Sequence, residues 1–186
     1  MSGADTCGPA APRRGPHDYW GLPSPYRSPT PDEQAALADV YARIETALGP
    51  AADACRACGR CCRFKAGGIV LFASALEMAN LVASIGLPRP GTCIVDGPAD
   101  SPWCCPYQQG NVCGARDVRP LGCRTYFCDA KAGATGRRLH ADALNEIRQI
   151  ASQHDATWWY GPARTCLATW ESCGTGASHR HPGMGR

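Results

Sequence analysis

The apolar positions of this chain fall into three helical runs, separated by stretches with no periodicity. Between 31 and 48, Leu37, Val40, Tyr41, Ile44 and Leu48 recur at helical spacing. Thr30 stands where an N-cap is needed, Pro31 suits the first helical position, and Glu33 completes a capping box. Gly49-Pro50 ends the run. Gly68 to Ala73 is a continuous apolar segment and reads as a buried strand. Ser74 then caps a second helix, again with a glutamate, Glu77, three residues on. Met78, Leu81, Val82 and Ile85 form its apolar face, and Gly86 stops it. A third helix is predicted over about 138–153, with Leu139, Ala143, Ile147 and Ile150 on one face. Thr157 to Tyr160 reads as a short strand.

The remaining chain has a different character. Residues 1–29 carry Pro9, Pro12, Pro16, Pro23, Pro25 and Pro29 and few apolar anchors, and read as a flexible tail. Residues 174–186 read as a second tail, in which His179 and His181 are solvated. The domain is therefore expected over 30–173. Inside it, 55–66 and 88–136 hold proline, glycine and cysteine but no apolar pattern able to order them. Such chain needs another source of order, and a bound metal would supply it.

Composition sharpens that expectation. The chain has 186 residues, a formal net charge of +3 and 44% hydrophobic residues, enough for a globular core. So mild a charge argues against a nucleic-acid partner. Trp158, Trp159, Tyr160 and Trp170 are expected to pack over a small core rather than to stack bases. The most apolar stretch, 67–87, includes Glu77 and Asn80 and reads as strand plus buried helix, not as a membrane span. The 13 cysteines cannot all pair with one another, because the number is odd. The first twenty residues hold no apolar run of signal-peptide type. A reducing, cytoplasmic setting with reduced thiols is the expectation, and a dense thiol cluster there points to metal.

Ten of the thirteen cysteines lie between 55 and 128, the motif core. Cys55, Cys58, Cys61 and Cys62 form a C-x2-C-x2-C-C run, in which Gly59 allows the tight turn. Cys105, Cys113, Cys123 and Cys128 form a second group. Thiolates are soft donors that select zinc, Cu(I) or iron–sulfur centres. The interval holds no histidine and only four acids, Glu77, Asp96, Asp100 and Asp117, against eight basic residues. That excess offsets the negative charge of a thiolate-bound metal and favours ionised thiols. Spacing alone leaves zinc, mononuclear iron and an iron–sulfur cluster open. C-x2-C-x2-C with a remote Cys105-Pro106 is similar to a bacterial ferredoxin run, whereas the adjacent Cys61-Cys62 departs from it. Cys7, Cys93, Cys166 and Cys173 read as structural thiols, and Cys104 is left without a role. No P-loop, GxGxxG, GxSxG or HExxH occurs. No histidine lies near the cysteines in sequence to activate a nucleophile, which leaves His140 or His154 to fold in from a distance.

Cys55, Cys58, Cys61 and Cys62, followed by Cys105-Pro106-Tyr107, Cys113, Arg119-Pro120 and Cys123-Arg124, resemble the YkgJ-type CxxCxxCC cysteine-cluster family. That family is described as a zinc- or iron-chelating domain. The resemblance spans about 55–128. It implies metal ligands at Cys55, Cys58, Cys61, Cys62, Cys105, Cys113 and Cys123, and it places Arg119 and Arg124 on the family's "RP..CR" positions beside the bound group. The chain departs from the family after Cys123-Arg124, where Thr125-Tyr126-Phe127-Cys128 replaces an aromatic-Pro-Phe stretch, which makes Cys128 a candidate additional ligand. The expectation is an α+β fold: a small, irregular, metal-stabilised domain with about three helices and short strands. It would chelate zinc, iron or an iron–sulfur cluster in a metal-handling or redox role. The alternatives are a metal-dependent enzyme, oxidoreductase or methylase-like, and a zinc-ribbon-type interaction module.

Overall fold

The computed structural model describes residues 27–54, 59–63, 70–88, 105–110, 112–127, 130–163 and 166–167. Helix α1 spans Pro31–Leu48 and begins as its sequence requires. The Thr30 hydroxyl accepts from the Glu33 backbone N–H at 3.3 Å, and the Glu33 carboxylate accepts from the Thr30 N–H at 2.7 Å. Arg27 then closes a fork on the same carboxylate, at 2.6 and 2.7 Å, and donates a further bond to the His154 carbonyl at 3.2 Å. Residues 27–29, within the stretch read as a tail, are thus pinned to the domain. A 3-10 turn, Gly49–Ala54, follows α1. Helix α2, Ala75–Ile85, is capped by Ser74 and Glu77 in the same reciprocal manner and ends at Gly86. Met78 and Leu81 of its predicted apolar face are buried, but Ile85 is exposed.

Two strands pair where the pattern placed only single segments. Strand β1 is Phe72–Ser74, shorter than the apolar run from Gly68, of which 68 and 69 lie outside the described residues. Its partner is Tyr160–Pro162, displaced from the predicted 157–160. The pair is antiparallel, with Ala73 opposite Gly161. Two flanking bonds extend it, Ala75 N–H to Trp159 C=O at 3.0 Å and Ala163 N–H to Leu71 C=O at 2.9 Å. Numbered in chain order, that partner is β4, because a two-residue hairpin intervenes: β2, Gln108–Gln109, against β3, Val112–Cys113. A five-residue helix α3, Leu121–Thr125, sits in chain that the periodicity left irregular.

The largest difference from the sequence expectation is α4, which runs Ala130–Gln153 rather than from about 138. Gly133 and Gly136 mask its first turns, since glycine disfavours a helix interior. The reason for Gly136 is tertiary. A Cβ there would lie 1.9 Å from the Thr125 carbonyl oxygen, so only glycine lets α4 cross so close to the end of α3. Arg137 and Arg138 are consequently exposed inside a helix, not at its start.

Helix α1 lies along α4, and α3 is wedged against α4. Leu37, Val40, Ile44 and Leu48 of α1 share a core with Ala143, Ile147 and Ile150 of α4, joined by Leu76 of α2 and Leu121 of α3. A second core contains Cys62, Met78, Leu81, Cys105, Tyr107, Trp159 and Cys166. Trp159 is buried there, as packing over the core requires, and Trp158 stacks on Tyr160 at 6.4 Å. The architecture is mixed α and β, as expected, with short antiparallel strands. No helix among the described residues is long and apolar enough to cross a membrane.

Two predictions follow from these contacts. Gly136→Ala should destabilise the protein by about 2–4 kcal/mol in denaturant unfolding, because backbone must move to admit the methyl group. Gly133→Ala, whose Cβ would meet only ordinary contacts at 3.4 Å, should be neutral or stabilising by up to about 1 kcal/mol; equal losses at both glycines would refute the close-approach explanation. The second concerns Glu33. The fork from Arg27, aided by the Thr30 donors, holds its carboxyl at about 2, below the ordinary 4.5. Its contribution is therefore complete above pH 4.5 and is lost as pH falls toward 2. With Arg27 47% exposed and its charge screened, that contribution should be about 1–2 kcal/mol. Unfolding titrations of wild type and Glu33→Gln should differ by that amount near pH 6 and converge near pH 2.

Candidate metal centre

The centre begins at a turn. Gly59 has φ +66°, a conformation open to glycine, and bends the chain into a short 3-10 turn, Arg60–Cys62. The Cys62 N–H donates to the Gly59 carbonyl at 3.0 Å. Cys105, far along the chain, donates its N–H to the Cys62 carbonyl at 2.8 Å, so the two cysteine-bearing segments are joined backbone to backbone. Gln108 reinforces the junction: its side-chain amide reaches the Gly59 and Gly110 carbonyls at 3.4 and 3.0 Å. The β2–β3 hairpin then brings Cys113 back opposite Gln108. Cys123 arrives separately, on α3.

Cys61, Cys62, Cys105, Cys113 and Cys123 all line one cavity of about 40 Å³. Its remaining wall is mostly apolar, with Leu71, Met78, Leu81, Pro106, Tyr107 and Pro120 among the lining residues. The volume has room for one small ion or a water or two. None of these five thiols is in a disulfide. Cys62 is the middle of the group, in thiol hydrogen bonds with Cys61, Cys105 and Cys113. Those bonds, Cys62 first in each case, hold the Cys61 and Cys113 thiols down to about 6 and lower Cys105 too. Cys62 itself is pushed up, first by its contact with Cys105 and then by those with Cys113 and Cys61 and by burial. Burial pushes the Cys123 thiol up. Among the described residues the contacts radiate from Cys62, and no group of three or more Cys, His, Asp or Glu is arranged to hold a metal ion. Cys55, Cys58 and Cys128, the other cysteines of the predicted ligand set, lie outside the described residues.

The two predicted arginines part company. Arg119 lines the thiol cavity, and its charge favours the ionised forms of Cys61 and Cys113. Its Nε is buried and has no hydrogen-bond partner. Arg124 is only 4% exposed and does not line the cavity. It donates from Nε to the Arg119 carbonyl at 2.9 Å, from one terminal nitrogen to the Asp117 carbonyl at 2.6 Å, and from the other to the Glu45 carboxylate. Its guanidinium lies 4.0 Å over the Tyr41 ring. Arg124 therefore holds the 117–119 segment against α1 and positions Arg119 through the backbone.

No pattern in the chain points to what holds α3, and with it Cys123, in place. Glu77 was legible only as a capping residue. In the structure it is buried, and beyond the Ser74 N–H and hydroxyl, both at 2.8 Å, it accepts from the Tyr41 hydroxyl at 3.2 Å and the Leu121 N–H at 2.6 Å. One carboxylate thereby links α1, the start of α2 and the start of α3. A capping box facing solvent and one facing the core have the same sequence, so only burial distinguishes them. His140 is also engaged away from the thiols. Its ring nitrogens meet the Thr125 hydroxyl at 2.9 Å and the Tyr160 hydroxyl at 3.1 Å. Thr125 donates its own proton to the Leu121 carbonyl, so the His140 Nδ1 must be the donor to Thr125 and Nε2 the acceptor from Tyr160. The histidine joins α3, α4 and β4 and is not a base for a cysteine. His154 contributes a carbonyl to Arg27 at the end of α4. Cys166, read as structural, is fully buried in the second core.

Removing Glu77 should be costly in a graded way. Glu77→Ala leaves the Leu121 N–H and the Ser74 donors buried without an acceptor and should cost about 3–5 kcal/mol. Tyr41→Phe removes one bond of the set and should cost about 1 kcal/mol. Denaturant unfolding checks both, and equal losses would contradict the central place of the carboxylate. Comparison with family models, curated proteins and solved structures gave no match to this chain.

Proposed function

We infer that this protein chelates zinc or iron, as single ions or as an iron–sulfur cluster, through its clustered thiols. The observation that carries the reading is the convergence of five cysteines, from four separate segments, on one small apolar cavity. Buried cysteines distributed for packing alone would have no reason to share a wall. The donor chemistry fits: thiolates are soft ligands, and an apolar wall strengthens their hold on a cation. The charge fits as well, since Arg119 would offset the negative charge of a thiolate-bound metal. Cys61, Cys62, Cys105, Cys113 and Cys123 are the described donors, and Cys55, Cys58 and Cys128 complete the set by sequence. The resemblance to the CxxCxxCC cluster family supports the same ligands. When bound, such a metal supplies either structural cross-linking or, for iron, one-electron chemistry. The thiols require a reducing environment to remain ligands, which makes the cytoplasm the location this reading implies.

Anaerobic purification followed by metal analysis and a visible spectrum tests the reading. At least one equivalent of zinc or iron is expected, with visible absorption if the metal is an iron–sulfur cluster and none if it is zinc. Folded protein recovered stoichiometrically without metal would overturn it. Single serine substitutions locate the site. Those at Cys61, Cys105, Cys113 and Cys123 should lower metal content severalfold, while Cys166→Ser should leave it nearly intact. Loss of metal in Cys166→Ser to the same extent would show that the count reports folding rather than ligation.

A further inference from the structure

Two thiols of the centre, Cys62 and Cys113, are held side by side by bonds that involve neither sulfur. The Cys105 N–H donates to the Cys62 carbonyl at 2.8 Å, and the Gln108 N–H donates to the Cys105 carbonyl at 3.0 Å. Cys113 is then paired with Gln108 across the β2–β3 hairpin. The Gln108 side-chain amide adds a bond at 3.4 Å to the carbonyl of Gly59, at the turn that carries Cys62. Both sulfurs belong to residues lining the same cavity, and neither is in a disulfide.

A thiol that is oxidised from solvent and then captured by a neighbour must meet two conditions. It must be reachable, and it must touch a second thiol with which a disulfide is unstrained. Among the five described cysteines of the cavity, Cys62 and Cys105 are only 6% and 9% exposed, whereas Cys61, Cys113 and Cys123 are partly exposed. The thiol partners of Cys62 are Cys105, Cys113 and Cys61, a set without Cys123. Cys61 fails on geometry. Chain neighbours have Cα atoms about 3.8 Å apart, whereas a disulfide spans roughly 4.4–6.8 Å between Cα atoms. Cys113 alone meets both conditions, with Cys62 as its partner. The cavity of about 40 Å³ has room for a water or two, and hydrogen peroxide, with two oxygens, is of that size.

We propose that Cys113 and Cys62 form a reversible disulfide in response to hydrogen peroxide, and that this link and a bound metal exclude each other. In the first step the Cys113 sulfur attacks one peroxide oxygen and the O–O bond breaks. Cys113 becomes a sulfenic acid, and the second oxygen leaves as water with the thiol proton. The Cys62 sulfur then displaces the sulfenic hydroxyl, which departs as water with the Cys62 proton. Two thiols lose two electrons, and one peroxide is reduced to two waters. Burial shields Cys62 from the oxidant and keeps it as the capturing thiol. The S–S bond withdraws both sulfurs from the donor set and leaves Cys61, Cys105 and Cys123 of the described ligands. The exclusion of metal rests on the function inferred above; the disulfide itself does not.

Disulfide mapping of the full-length protein tests the pair. Reduced, chelator-treated protein is exposed to equimolar hydrogen peroxide, its remaining thiols are alkylated, and linked peptides are located by fragmentation in a mass spectrometer. Cys62–Cys113 should be the most abundant link, and dithiothreitol should reverse it. A more abundant link elsewhere, or oxidation that yields no link, overturns the proposal. Cys61→Ser should still form the link and Cys113→Ser should not; the wild-type map decides the matter even where a serine variant fails to fold. Zinc added before the peroxide should slow the link at least about tenfold, since ligation occupies both sulfurs. An unchanged rate in protein that has taken up zinc overturns the exclusion. Protein that forms the link yet takes up neither zinc nor ferrous iron refutes metal chelation and leaves the peroxide response standing. Protein that holds metal but makes no such link does the reverse.

Discussion

A single buried carboxylate organises the described part of this protein. Glu77 accepts hydrogen bonds from three elements at once: its own helix cap, the Tyr41 hydroxyl of α1 and the Leu121 N–H of α3. A carboxylate is buried at high cost unless its oxygens are satisfied. The arrangement is therefore exacting, because displacing any of these elements leaves a charged oxygen short of a donor. Tyr41 is held protonated by burial first and then by the charge of Glu77, so it remains a donor under all ordinary conditions. On its other face Tyr41 carries the Arg124 guanidinium. An acid, a phenol and a cation are thus linked in sequence, and the far end of that series fixes the backbone that bears Arg119.

The thiol cavity is assembled from the outside in. Its cysteines do not come from one motif folding on itself. Cys61 and Cys62 enter on a glycine-directed turn, Cys105 is tied to Cys62 through the backbone, Cys113 returns on a hairpin, and Cys123 is delivered by a helix docked on Glu77. Each of these supports is made by backbone or by side chains other than the thiols. The thiols can therefore be brought together before any of them is ligated, which lowers the entropic cost of gathering soft donors. Cys62 is the shared partner of the other thiols, and its contacts favour the ionised forms of Cys61, Cys105 and Cys113.

Arg119 and Arg124 illustrate how two neighbouring cations acquire different work. Arg124 is enclosed, and each of its terminal nitrogens is occupied by a carbonyl or a carboxylate. Arg119, five positions earlier, faces thiols on one side and an open groove on the other. The rigid residue positions the responsive one.

Much of the helical framework was legible in the chain because its signals are local. Thr30 with Glu33 and Ser74 with Glu77 announce helix starts through bonds between residues three apart, and the apolar spacing of Leu37, Val40, Tyr41, Ile44 and Leu48 defines a buried face without reference to any partner. The clustering of cysteines, and hence the candidate centre, was likewise visible from composition and spacing. What the chain could not reveal depends on contacts between distant segments. The first turns of α4 were hidden because Gly136 opposes a helix locally and is required only by the carbonyl of Thr125 lying against it. The pairing of Phe72–Ser74 with Tyr160–Pro162 has no signature in either segment, since a three-residue strand is defined by its partner rather than by its pattern. The separate roles of Arg119 and Arg124, and the burial of Glu77, were likewise decided by tertiary structure. Charge and hydrogen-bonding capacity are written in the sequence, but the surroundings that give each one a function exist only once the chain has folded.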